Sequence, residues 1–244
     1  MRAHVLAAEP APEFVQRVAR RTERLRDKTM TPDATYMLLS RSLAPTACDS
    51  FDGHVLACLF AIGVAETNAD RSLAEGLGLS GKTLRGVIDR YFPGTLGFLE
   101  GFGLDGEIPV PDEEQSLRRL LQRSRSTADS YSSLLAILVA RRAMQNNHLW
   151  QDLGLANRGE LSALMQRHFA SLALRNKADM KWKKFFYRMI CREGGGQQCV
   201  APSCSECTEF SGCFGDESGE SLLARIRLPI AGLSEESSYA VRRG

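Results

Sequence analysis

Cys199, Cys204, Cys207 and Cys213 follow one another in the pattern C-x4-C-x2-C-x5-C. Most of the chain's seven cysteines thereby fall in one short stretch rich in Gly, Pro and Ser. A segment so short cannot build a core around four thiols, and soft thiolates select iron–sulfur clusters, zinc or copper(I). The first three have the C-x4-C-x2-C spacing of one class of ferredoxin loop. Here the fourth follows after five residues instead of coming from a distant part of the chain. Zinc is the main rival, but its structural sites usually pair two knuckles a dozen or more residues apart, often with histidine. Disulfides are the third option. The odd cysteine count and the lack of a recognisable signal peptide speak against them.

Other donors lie nearby in the sequence. Met180 to Cys191 reads as the strongest amphipathic helix. Trp182, Phe185, Phe186, Met189 and Ile190 form its apolar stripe, and Lys181, Lys183, Lys184 and Arg188 form the opposite face. That face is either solvated surface or a basic lure for an oxyanion such as molybdate beside the cysteines. His148, at the end of a hydrophobic helix, is either an accessory metal ligand or a hydrogen-bonded helix-end histidine. His54 and His168 carry the same two readings. Cys48 and Cys58 read as free core cysteines. Cys191 is a spare thiol outside the compact four.

Two other motifs lose to duller readings. Gly76-Leu-Gly-Leu-Ser-Gly-Lys-Thr83 matches the phosphate-loop pattern, but that loop requires a preceding strand, and Leu73 to Glu75 read as helix. The same stretch as a DNA-reading helix-turn-helix offers few polar side chains on a mostly apolar face. No paired carboxylates, nucleophile–base pattern or credible cofactor loop suggests an enzyme.

The elements that must position the cysteines read as helices almost throughout, an all-α chain of 244 residues with 43% hydrophobic residues. Helices are expected around Met37 to Leu43, Asp52 to Glu66, Leu84 to Tyr91, from Asp112, and over Ala128 to Met144. A loop is expected over residues 93 to 111, and a short closing helix after Asp216 and Glu217. Leu73-Ala-Glu-Gly-Leu-Gly-Leu79 and Leu149-Trp-Gln-Asp-Leu-Gly-Leu155 each follow a hydrophobic helix and precede another. This implies two similar helix-turn-helix units with glycine at each turn. The expected organisation is an N-terminal helical region (1–50), a helical domain with the repeat (51–190), the cysteine loop with its closing helix (191–228) and a flexible tail (229–244). Net charge is +2, which argues against general nucleic-acid affinity. No apolar run reaches membrane-spanning length, so a soluble cytoplasmic protein is expected.

Met180-Lys-Trp-Lys-Lys-Phe-Phe-Tyr-Arg188, the complete four-cysteine motif, Phe214-Gly-Asp-Glu-Ser-Gly-Glu-Ser-Leu-Leu-Ala-Arg225 and Asn147-His-Leu-Trp-Gln-Asp-Leu-Gly-Leu155 together closely resemble the NifQ family. The resemblance covers roughly residues 50 to 228. It implies a molybdenum carrier that holds an iron–sulfur, Mo-Fe-S cluster and donates molybdenum during assembly of the nitrogenase iron–molybdenum cofactor. It further implies the NifEN scaffold and the nitrogenase iron protein, NifH, as receiving partners. Cys199, Cys204, Cys207 and Cys213 become the cluster ligands by match to the motif. Read without the resemblance, the residues leave a second hypothesis open: a metal- or redox-sensing DNA-binding regulator with a zinc or iron–sulfur site.

Overall fold

Asp49 and Asp129 each open a long hydrophobic helix by accepting a hydrogen bond from the backbone N–H three residues on, at 3.0 and 2.7 Å. In the computed structural model, which describes residues 31–193 together with Glu217 and Leu223, these helices form the centre of an all-α body. The elements are α1 (Pro32–Arg41), α2 (Ser50–Ala65), α3 (Leu73–Leu77), α4 (Gly81–Tyr91), α5 (Leu96–Leu99), α6 (Asp112–Arg123), α7 (Ser130–Ala143), α8 (Leu149–Asp152), α9 (Arg158–His168), α10 (Ala170–Arg175) and α11 (Trp182–Glu193). There is no β-strand among the described residues. A lone bridge joins Asn68 and Arg71.

Helix α2 is buried on nearly every face, from Val55 through Val64. Helix α1 packs along it, and the short α3 closes its C-terminal end. Helices α6 and α7 lie against each other, and α11 packs on α6. Residues 93 to 111, expected as a loop, contain α5 and a 3-10 turn at Glu100–Phe102. Leu99 and Leu104 bury that segment against the core, so packing supplies the order that its Gly and Pro content hides.

The two Leu-Gly-Leu turns have closely related local geometry. Gly78 has φ 67° and Gly154 has φ 73°, the left-handed region that favours glycine. Leu79 N–H donates to Ala74 O, and Leu155 N–H donates to Trp150 O. The following helices begin at Ser80 and Asn157 caps. They end at Phe92 (φ −129°, ψ 57°) and Phe169 (φ −138°, ψ 46°), both fully buried.

Buried charges fasten these parts together. The Arg142 side chain, 1% exposed, donates to both carboxylate oxygens of Glu66 at 2.6 Å and to Asp152 O at 2.6 Å. Glu114, fully buried, sits between Arg118 and Arg141, and Arg118 also donates to Gly78 O. The phosphate-loop pattern is spent on this packing. Helix α3, not a strand, precedes it, and Ser80 at its centre serves as the cap of α4, so the strand–loop–helix context a phosphate loop requires is missing.

Candidate metal centre

Cys199, Cys204, Cys207 and Cys213 lie outside the described residues, as do residues 1–30 of the expected N-terminal helical region and the tail after residue 228. What the structure defines is how the chain enters and leaves that segment. Among the described residues, no group of three or more His, Cys, Asp and Glu side chains is placed to hold a metal.

The chain enters through α11. Its apolar stripe is buried as expected, at Trp182, Phe185, Phe186 and Met189. Its basic residues divide. Lys184 is exposed, as is Arg192 two turns on. Lys183 instead turns inward, where its Nζ donates to Asp152 Oδ2 at 2.5 Å and to Gln145 O at 2.6 Å. Burial pulls the Lys183 pKa below the usual lysine range, and the bond to Asp152 only partly opposes this. Lys183 thus fastens α11 to the α7–α8 turn and is not part of a uniform solvated face. Asp152 is the link: it also accepts from Asn147 Nδ2, while its carbonyl takes Arg142.

The chain leaves through Glu217, four positions after Cys213. Its side chain is only 6% exposed, with Oε2 2.7 Å from Arg158 Nη1 and Oε1 3.5 Å from His148 Nδ1. Leu223, fully buried, comes within 3.0 Å of where a Cβ would stand at Gly154. His148 is therefore beside Glu217, whereas Lys181 and Lys184 lie at the start of α11, a helix length before the cysteine segment. Arg158 reaches from Glu217 back to the turn that precedes α11. Its Nη2 donates to Asp179 Oδ1 at 2.8 Å, Asp179 O at 2.9 Å and Met180 O at 3.3 Å, just before α11 begins. Burial works against the Arg158 charge, but bonds to Asp179 and Glu217 outweigh it and hold the pKa above its ordinary value.

Arg158 and Asp152 do not stand out in the sequence. One signal was available for Arg158. A cation in the first turn of a helix opposes the helix dipole, so an arginine opening α9 is expected to have an acidic partner elsewhere.

The remaining candidates serve the body. His54 bonds to Tyr36 at 3.0 Å and to Glu160 at 3.2 Å, joining α1, α2 and α9. His168 lies 2.9 Å from Asp52 and 3.3 Å from Ser132, a Ser-His-Asp order whose serine is fully buried. No substrate reaches such a serine, so the three pin α2, α7 and α9 together. Burial, followed by the charges of Asp52 and Asp49, pushes the Cys48 thiol up to about 11, away from reactive thiolate character.

The described fold defines a class: an all-α protein whose helical body holds the chain before a cysteine-rich segment, through α11, and after it, at Glu217. The NifQ family model matches residues 55–215. A protein NifQ homolog of Sinorhizobium fredii is 42% identical over 173 residues, covering 70% of this chain and 75% of that protein. Protein NifQ of Rhodobacter capsulatus is 39% identical over 145 residues, covering 58% of this chain and 77% of that protein. Protein NifQ of Azotobacter vinelandii is 42% identical over 106 residues, covering 43% of this chain and 54% of that protein. No solved structure matches the chain. The chain belongs to the NifQ family.

Proposed function

We propose that this protein is a molybdenum carrier that supplies the metal for assembly of the nitrogenase iron–molybdenum cofactor. The observation that carries this reading is the complete four-cysteine motif inside the stretch matched by the family model. Cys199, Cys204, Cys207 and Cys213 would hold an iron–sulfur cluster, and molybdenum would be the cargo. Thiolates suit this task because soft sulfur binds iron–sulfur cores firmly and leaves charge to be balanced by nearby cations. Lys181 and Lys184 at the start of α11 and His148 beside Glu217 would be the accessory groups for molybdenum. Lys183 serves the fold instead, since Asp152 already holds it.

The acceptors would be the NifEN scaffold together with the nitrogenase iron protein, NifH, in the cytoplasm. No described helix is long and apolar enough to cross a membrane. The role is carriage, not catalysis. We also read the helical body as two similar helix-turn-helix units, α2–α3–α4 and α7–α8–α9. The paired positive-φ glycines, Asp caps and buried closing phenylalanines support that reading.

A carrier raises the local supply of a scarce metal, so abundance should replace it. Cells lacking this protein should fix nitrogen poorly when molybdate is scarce and recover when it is plentiful, and a Cys204→Ser chain should behave like the deletion. Activity absent at every molybdate concentration would indicate an obligatory scaffold instead. Unchanged activity under scarcity, together with binding of the protein to duplex DNA at physiological salt, would favour a metal-sensing regulator.

A further inference from the structure

We infer that the outward face of α4 is a self-association surface, on which a second copy of this chain packs antiparallel across Gly86. The fold does not need a glycine there. Gly86 lies in the middle of α4 and is exposed, and a Cβ at that position would meet nothing within 4 Å. A glycine inside a helix destabilises it relative to alanine, and nothing among the described residues offsets that loss. On the two-unit reading above, Ser80 matches Asn157 and Phe92 matches Phe169, so Gly86 matches Ala163, which is also exposed. The second unit forms the same helix without the glycine. What a missing side chain provides is room for another backbone to come close.

The charges around Gly86 complement themselves. Lys82, Asp89 and Arg90 are exposed beside it. Arg85 is not part of the set, because Asp105 takes its guanidinium at 2.7 and 2.8 Å. At about 100° per residue, Lys82 and Asp89 fall on one flank of Gly86, and Thr83 and Arg90 fall on the other. Along the helix, Lys82 stands about 6 Å before Gly86 and Asp89 about 4.5 Å after it. An antiparallel two-fold crossing at Gly86 keeps each flank on its own side and reverses its direction. It sets Lys82 against the partner's Asp89 and Asp89 against the partner's Lys82, while Arg90 faces the partner's Thr83. A parallel crossing would instead bring Lys82 level with the partner's Lys82 and Asp89 level with the partner's Asp89, and like charges repel. The second unit has no such set, since Gly159 and Gln166 stand where α4 has Lys82 and Asp89.

Self-complementarity of this kind is what a two-fold contact requires, because each residue that touches a partner residue is touched by it in return. The apolar side chains of α4 take no part, since Leu84, Val87, Ile88 and Tyr91 are buried in the body. An interface built on one 11-residue helix is small. The dimer is therefore weak and reversible, with a Kd of about 10–100 μM. The cysteines are not involved, and the surface is independent of the carrier reading.

The test is analytical ultracentrifugation of the full chain from about 1 μM to about 1 mM, in reductant so that no cysteine links two copies. Melting temperatures are taken at the lowest concentration, where the chain is monomeric. The wild type should dimerise reversibly, and less so as salt rises. Lys82→Glu and Asp89→Lys should each weaken association by about tenfold or more. The double variant Lys82→Glu/Asp89→Lys should return to within about threefold of the wild type, since its swapped charges again oppose each other. Gly86→Ala should weaken association about tenfold while raising the melting temperature, and Gly86→Leu should abolish association with helicity intact. Ala163→Gly should lower the melting temperature and leave association unchanged. A wild-type chain still monomeric at about 1 mM overturns the inference. So does a dimer that survives Gly86→Leu, or a charge swap no better than its single reversals. A Gly86→Ala chain that melts below the wild type overturns it as well, by giving the glycine a role in the fold.

Discussion

At the scale of the residue, the buried charges are the points where single substitutions should be felt most. Glu66 receives two bonds from a fully buried Arg142. Burial by itself would raise the Glu66 pKa, but the bonds and charge of Arg142, with help from Arg71, lower it below its ordinary 4.5. A carboxylate with a lowered folded pKa stabilises the fold above its unfolded pKa and loses that contribution as pH falls through the folded value. Glu66→Gln should therefore cost about 1–3 kcal/mol at pH 7, the usual cost of weakening a buried charged hydrogen bond. The gap between the variant and the wild type should narrow as pH drops below about 4.5 in urea titrations. A gap that stays constant down to pH 3 would mean that Glu66 does not carry its charge in this pair. Two glycines give a second test. A Cβ at Gly154 would meet Ile62 Cγ1 at 2.7 Å on a backbone with φ 73°, so Gly154→Ala should destabilise by about 1–3 kcal/mol. Gly86, in exposed helix with nothing within 4 Å of its Cβ position, should instead be stabilised by Ala, by about 0.4–1 kcal/mol. The same denaturation curves report both, and equal effects at the two positions would refute the geometry.

At the scale of the element, α11 decides how basic residues divide between fold and chemistry. Lys183→Gln should weaken the hold on Asp152 and lower iron and molybdenum together, with a lower melting temperature. Lys184→Gln, on the exposed side, should leave melting and iron unchanged and lower molybdenum alone, most clearly at low salt, where charge acts at longer range. Metal analysis beside thermal melts separates the two, and identical behaviour of both variants would refute the division. The helices themselves were legible in the sequence. The stripe of Trp182, Phe185, Phe186 and Met189 and the apolar run of α2 appear buried where periodicity put them. The inward turn of Lys183 was not legible, because its acid lies thirty-one positions away in sequence and no local pattern marks it. The same holds for α5, a four-residue helix ordered by tertiary packing and not by propensity.

At the scale of the whole molecule, the body can be understood as a mount. Helices α2 and α7 provide a sealed core, and α8 and α9 present Asp152, His148 and Arg158 along one short stretch. The first turn of α11, through Lys183, and Glu217 beyond the cysteines are held there. The sequence identified the four cysteines as chemistry because four thiols in a coreless stretch need a ligand. It could not disclose the mount, since a contact such as Arg158 with Glu217 joins positions far apart and follows only from the fold. The central claim is that the four cysteines hold an iron–sulfur cluster able to carry molybdenum. The most direct test is the iron, molybdenum and zinc content of the protein purified without oxygen from molybdate-fed cells, beside Cys204→Ser. We expect a brown wild-type protein containing iron and molybdenum, with both lost in the variant. A colourless wild-type protein holding one zinc and no iron would contradict the account.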